Sequence, residues 1–246
     1  MVAAEHKVVL ITGAAKRVGA YLCKYFHHKG CNVVIHYHSS KVEALQLEGE
    51  LNRRRINSAK ALCGQFACHE EYRLFQREVE SYWGRVDVLI NNASSFFPTP
   101  IGNATVDDAQ ALLHSNLIMP TLLIQAFAKA LQTSGGCVIN ILDIYAQSPL
   151  RDHMLYCAAK AGLASVTKSV AKELAPDVRS NAIAPGNIIW PSDCTLSQPE
   201  KQWRLAQIPL QRQGHPQDIA KAAYFLAFDA DYVTGQVLNV DGGKAL

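Results

Sequence analysis

The 246-residue chain contains no apolar run approaching the roughly 18–20 residues that span a bilayer. Its first residues, Met1–Lys7, include Glu5 and His6 and lack the basic and apolar regions of a secretory leader. A membrane protein or an exported one is therefore not expected, and a cytoplasmic location is. Charge of one sign is scarce as well. With 24 Lys+Arg against 21 Asp+Glu, the net charge of +3 is too small to build a nucleic-acid or anionic-lipid surface. No CxxC pair occurs among the seven cysteines, Cys23, Cys31, Cys63, Cys68, Cys137, Cys157 and Cys194. Their odd number and apolar settings favour small hydrophobic residues in a reducing compartment over disulfides or a metal site.

What is present is apolar material in a regular order. At 49% hydrophobic and 18% charged, the chain has enough for one sizeable core and is neither disordered nor fibrous. Aliphatic runs at Val8–Thr12, Asn32–Tyr37, Ala59–Gln65, Val86–Asn91, Val138–Leu142, Ser180–Ala184 and Val237–Val240 read as strands. They are continuous rather than alternating, which suits a parallel sheet buried on both faces. Amphipathic stretches between them, at Arg17–Lys29, Lys41–Arg54, Glu70–Tyr82, Asp107–Leu131, Leu155–Leu174 and Gln217–Phe228, read as helices. Gly30 and Gly84 stand where helix C-caps are wanted, and Thr105 with Asp108 has the pattern of a capping box.

Strict alternation predicts right-handed crossovers and one doubly wound α/β domain over residues 1–246, a seven-stranded parallel sheet with helices on both faces. The one irregular region is 185–213, which carries Pro185, Pro191, Pro199 and Pro209 with Trp190 and Trp203. Ligands of open α/β sheets bind beyond the carboxyl ends of the strands, so this segment is expected to form a substrate-binding loop, with a plain surface loop as the alternative.

The first strand runs into Thr12-Gly13-Ala14-Ala15-Lys16-Arg17-Val18-Gly19. Small residues at such a turn let backbone N–H groups and a helix N-terminus approach a pyrophosphate, although Arg17 stands where a strict GxGxxG has glycine. The second strand ends in His36-Tyr37-His38-Ser39-Ser40-Lys41, without the acid that holds a ribose 2′-hydroxyl in NAD-binding proteins. Imidazole, hydroxyl and amine groups suit a 2′-phosphate instead, and Arg17 adds a forked donor, so NADP(H) is expected. Tyr156 and Lys160 lie one helical turn apart on one face, and an ammonium there is expected to ease ionisation of the phenol. With nine tyrosines, YxxxK alone decides nothing. Its place after the glycine turn and Asn91-Asn92-Ala93, each at a strand end or helix start, gives it weight.

Together, Thr12-Gly13…Gly19, Asn91-Asn92-Ala93, Asn116, Tyr156…Lys160 and Pro185-Gly186 resemble the short-chain dehydrogenase/reductase family over essentially the whole chain. That family normally has serine thirteen residues before the tyrosine; here the position is Asp143. Asp143, the Thr12–Arg17 turn, His36-Tyr37-His38, Ser94-Ser95-Phe96 and the terminal Val240-Asp241-Gly242-Gly243 resemble its pteridine reductase branch.

The resemblance implies a Rossmann-type fold and an NADPH-dependent reductase that gives hydride to a pteridine ring carbon and a proton to the adjacent nitrogen. It makes Tyr156 the acid, and Lys160 the ligand of the nicotinamide ribose. Asp143 would bond Tyr156 and the pterin edge, and Asn116 would steady its helix and a water behind Lys160. Phe96 would stack on the pterin, with Ser94 and Arg17 bonding its polar atoms and Trp190 capping the pocket. Cofactor contacts would come from Gly13, Arg17, Val18, Gly19, His36, Tyr37, His38, Ser39, Ser40, Gln65, Asn92, Ala93, Ser94, Tyr156, Lys160, Pro185 and Gly186. Ser39 replaces a family arginine, and Gln65-Phe66 replaces an Asp-Leu pair at the adenine. A glutamine carbonyl can still accept from the adenine amine. Related reductases form homotetramers, which is the expectation here. Two other readings remain open: a generic carbonyl or 3-ketoacyl reductase, and a non-catalytic dinucleotide-binding protein.

Overall fold

A computed structural model describes residues 6–190 and 196–246. Pro191 and Cys194 lie outside these residues, as does part of the expected substrate loop. Seven strands form one parallel sheet: β1 (Val8–Ile11), β2 (Asn32–Tyr37), β3 (Ala59–Cys63), β4 (Val88–Asn91), β5 (Cys137–Ile141), β6 (Arg179–Pro185) and β7 (Val237–Val240). Their order is β3-β2-β1-β4-β5-β6-β7, so the chain reverses direction across the sheet between β1 and β4. This is the Rossmann-type doubly wound arrangement expected from the alternation of strands and helices.

Strand periodicity sorts the core into two layers. Along β1, Val9 and Ile11 join Leu22, Phe26, Leu47, Leu51 and Ile219 on one side of the sheet. Their neighbours Val8 and Leu10 join Phe75, Val79, Leu123, Phe127 and Leu131 on the other. The helices that supply these residues are α1 (Arg17–His28), α2 (Lys41–Arg54) and α8 (Pro216–Tyr224) on the first face, and α3 (His69–Trp83) and α5 (Met119–Ser134) on the second. Because successive side chains point to opposite faces, a strand covered on both sides is apolar at every position. β7 departs from this rule: as an edge strand it is partly exposed along its length.

Two parts of the chain differ from the sequence reading. The helix expected over Asp107–Leu131 is α4 (Val106–Leu113), a π-helical turn at His114–Ile118, and then α5. Pro120 at the start of α5 has no N–H to give the carbonyl four residues back, which suits a widened turn there. The whole stretch Val106–Ser134 is long and apolar enough to cross a membrane by composition. Here it lies against the sheet, with Leu123, Ile124, Phe127 and Leu131 buried in the core. The irregular region contains α7 (Gln198–Ala206), opened by a capping box between Ser197 and Glu200. The capping box of α4 between Thr105 and Asp108 is present as read, and Gly84 adopts the left-handed conformation, φ +66°, that ends α3. The last long helix, α6 (Met154–Glu173), carries Tyr156 and Lys160.

Candidate active site

A cleft of about 740 Å³ opens where β1 and β4 diverge, at the carboxyl ends of the strands. The loop after β1 forms its floor. Gly13 sits at φ +59°, and a Cβ on it would come within 2.8 Å of Ala93 Cα. Gly19, in the first turn of α1, has even less room, since a Cβ would lie 2.4 Å from the Gly13 carbonyl oxygen. These glycines let the helix start pack directly on the turn. The Thr12 hydroxyl oxygen accepts from the amides of Asn92 (2.9 Å) and Ala93 (3.0 Å), and Asn92 Nδ2 donates to the carbonyls of Thr12 (2.9 Å) and Gly13 (3.1 Å). The ends of β1 and β4 are thus tied together beneath the cleft.

The residues present fit a dinucleotide. No side chain caps the N-terminus of α1 and no acid occupies its first turn, leaving its partial positive charge directed at the cleft beside Ala15, Arg17 and Val18. Tyr37, His38, Ser39, Ser40 and Gln65 line the far end, and among the described residues no carboxylate lines it. Pro185, the last residue of β6, and Gly186 form the wall at that end.

Two cofactor assignments change. His36 also lines this end but is only 2% exposed, and both ring nitrogens are engaged within the protein. Nδ1 accepts from the Gly13 amide (3.2 Å), so Nε2 carries the proton and donates to the Gly64 carbonyl (3.0 Å). Burial lowers its pKa to about 4, and the ring is packed on Phe66 and Phe75. His36 braces the glycine turn against the end of β3, with no N–H left for a phosphate. The Arg17 guanidinium reaches across the cleft to the Ile189 carbonyl at 3.3 Å, on the β6 side. Its guanidinium is therefore turned away from His38, Ser39 and Ser40 at the end of β2.

The titratable groups of the cleft come from the segment after β5 and from α6. Tyr156 donates its phenol proton to Asp143 Oδ2 at 2.8 Å, while Asp143 Oδ1 accepts from the Tyr145 amide at 3.0 Å. Lys160 is 2% exposed and donates to the Ile141 carbonyl at 2.8 Å. Its Nζ lies 5.7 Å from the Tyr156 ring centroid. Burial, and then the Asp143 charge, push the phenol pKa far above its ordinary value, with the neighbouring Ser94 acting in the opposite sense. Burial also raises the Asp143 carboxyl, opposed by the Tyr145 amide, the Tyr156 hydroxyl and the charges of Lys160 and Lys244. Burial lowers Lys160 to about 8. The expectation that lysine eases ionisation of this phenol is therefore overturned: the phenol faces a carboxyl and is held protonated. A protonated donor is what a reduction requires.

Asn116 lies on the π-helical turn, 1% exposed and behind the cleft rather than in its wall. Its Oδ1 accepts from Ser94 Oγ (2.7 Å), and its Nδ2 donates to the carbonyls of Ser95 (2.9 Å) and Leu112 (3.0 Å). Its bond to Leu112 ties it into its own helix, as expected, and its bonds to Ser94 and Ser95 pin the loop carrying Ser94 and Phe96. Phe96 is 54% exposed, lines the cleft, and sets its ring edge-to-face against Tyr156 at 4.8 Å. Its other partner, His153, was not singled out from the sequence; the two rings stack at 4.5 Å and 16°. His153 directly precedes α6 in a stretch with no recognisable spacing, so only the fold reveals it. Phe97, the competing aromatic, packs with Leu112, Tyr156 and Cys157. Trp190 does not line the cleft; Ile188 and Ile189 do. His114, Ser115 and Met119 also line it without having been anticipated, brought there by the π-helical turn and the start of α5.

Residues 13–245 match the family described as Enoyl-(Acyl carrier protein) reductase. The chain is 34% identical over 280 residues to Pteridine reductase 1 of Leishmania tarentolae, covering 97% of this chain and 96% of that one. It is 33% identical over 240 residues to a 3-oxoacyl-[acyl-carrier-protein] reductase of Staphylococcus aureus, with 96% and 97% covered. An uncharacterized oxidoreductase of Methylorubrum extorquens is 32% identical over 247 residues, with 97% and 98% covered. With the glycine turn, the cleft at the strand reversal and the Tyr156–Lys160 helix in one sheet, the chain belongs to the short-chain dehydrogenase/reductase family and is an NAD(P)-dependent oxidoreductase.

Proposed function

We propose that the protein is an NADPH-dependent pteridine reductase acting on a dihydropterin. The observation that carries this reading is the Asp143 carboxyl 2.8 Å from the Tyr156 phenol. A ketone reductase needs donors around a developing alkoxide, and an ionised carboxylate there would repel it. A pterin presents ring N–H and amino groups, which a carboxylate accepts, and a ring nitrogen, to which Tyr156 delivers a proton. Bound NADPH supplies the hydride to a pteridine ring carbon, reducing a C=N bond to CH–NH. Phe96 offers an exposed aromatic surface beside Tyr156 for a flat ring. Arg17 and Ser94 are placed to bond its polar atoms, and Lys160 to bond the nicotinamide ribose. The stretch His36–Lys41 at the end of β2 contains no acid, which favours NADPH over NADH. The Leishmania tarentolae relative bears the same activity in its name. We further propose a cytoplasmic homotetramer.

The second reading, a 3-oxoacyl reductase, draws on the Staphylococcus aureus relative at nearly the same identity. NADPH oxidation with dihydrobiopterin, dihydrofolate, dihydromonapterin and a β-keto ester separates the two. Turnover of a pterin, lowered about 100-fold or more by Asp143→Ser, is the expected result. Turnover of the keto ester alone, or full pterin activity in both Asp143→Ser and Asp143→Asn, overturns the pteridine reading.

A further inference from the structure

The start of α6 is fastened to the loop that carries Phe96. The Thr99 amide donates to the Asp152 carbonyl, and Thr99 pairs with His153 in an isolated parallel bridge. The His153 imidazole lies flat on Phe96, with ring centroids 4.5 Å apart and planes 16° from parallel. Its Nδ1 meets the Arg151 carbonyl at 2.8 Å, and since a carbonyl only accepts, Nδ1 carries a proton. The ring is thus held in place from its own loop. His153 precedes α6 without capping it through its side chain, so the imidazole has no part in starting that helix.

The two stacked rings are not equivalent. Phe96 lines the cleft and His153 does not. The imidazole therefore backs the face of Phe96 turned away from the cleft, and the phenyl ring, 54% exposed, keeps surface open toward it. An exposed phenylalanine on a loop has rotamer freedom to lose when a flat ligand settles on it. A partner already stacked on its back removes that cost before the ligand arrives. Tyr156, edge-to-face at 4.8 Å, braces the same ring from the side. We propose that His153 is a positioning residue for the substrate: it holds Phe96 in place beside Tyr156, so that a flat heteroaromatic ring adds as a third layer to the His153–Phe96 stack. This rests on the pteridine reading, in which Phe96 carries the pterin. It gives His153 a part in binding and none in proton transfer, which stays with Tyr156 and Asp143.

The test is steady-state kinetics with dihydrobiopterin and NADPH, using three substitutions. His153→Leu and His153→Gln cannot stack, whereas His153→Phe stacks without a ring nitrogen. The first two should raise the KM for dihydrobiopterin about three- to tenfold, the worth of one aromatic pair, with kcat and the KM for NADPH close to unchanged. His153→Phe should restore most of the pterin KM, and the pH profile of kcat should be the same in all. An unchanged pterin KM in His153→Leu and His153→Gln would overturn the proposal. A rise that His153→Phe does not reverse would overturn it as well, as would a pH profile displaced in His153→Phe, which would assign the imidazole to proton handling. An equal rise in the KM for NADPH would mean that the whole cleft is disturbed, and would count against it too. If the unaltered enzyme reduces no pterin, the pteridine reading itself fails and takes this assignment with it.

Discussion

In the proposed reaction Tyr156 is the proton donor, and its neighbours keep its proton in place. Removing only that hydroxyl isolates its role: Tyr156→Phe should lower kcat about 100-fold or more while leaving NADPH affinity, read by fluorescence titration, close to unchanged. His36 gives a different kind of expectation. Its pKa in the fold is about 4, below the ordinary 6.5, so its contribution to stability is fully present above pH 6.5 and drains away as pH falls through 4. A protonated ring sets an N–H against the Gly13 N–H where an acceptor is needed. The contribution amounts to about 3 kcal/mol at most. His27, lowered to about 4 chiefly by burial and bonded to Ser58 at 2.6 Å, acts in the same window. Thermal denaturation of the apoprotein between pH 7 and roughly pH 4 should therefore show a falling Tm, less steep in His36→Asn. The two histidines also show what residue types disclose. Asp143 and Tyr156 were legible because a fixed spacing joins them. His36 was read as a phosphate donor because composition does not tell which way a strand residue points, and this one points inward.

At the scale of elements, the turn between β1 and α1 depends on two backbones in near contact. Gly19→Ala places a Cβ 2.4 Å from the Gly13 carbonyl oxygen, backbone against backbone, so the neighbours cannot yield by turning a side chain. The expected cost is about 1–3 kcal/mol of stability, together with loss of measurable cofactor binding, checked by urea denaturation and NADPH titration. The inner strands were legible because two-sided burial leaves an unbroken apolar run, and β7, though partly exposed, keeps the aliphatic Val237-Leu238 and Val240. What escaped was signalled more quietly. The Ser197-Gln198-Pro199-Glu200 stretch contains both the capping pair and the first-turn proline of α7, yet four prolines in the segment argued against any helix. Pro120 marks the place where the wider turn after α4 gives way to α5, and that turn sets Asn116 against Ser94. Hydrophobic periodicity passes through such a change without a break, so one long helix was the natural reading.

Across the whole molecule, the strand order determines where the chemistry gathers. Residues from β1, β2, β4, β5 and β6 meet because the sheet reverses direction once, and the cleft occupies that reversal. The proposed homotetramer belongs to this scale. The partly exposed edge strand β7, with Leu238 38% exposed, is surface that association would cover. Light scattering at micromolar concentration should return about four times the mass of one chain, and a monomer would remove that part of the proposal.

The hydroxyl of Thr12, buried under the cleft and accepting from two amides past the end of β4, also bears on motion. The Asn92 and Ala93 amides belong to a connecting segment, where hydrogen exchange is ordinarily fast. Held as they are, they can exchange with deuterium only when the ends of β1 and β4 part. Their exchange rate is therefore a built-in gauge of how often the two halves of the sheet breathe apart, readable in solution with no label and no substrate.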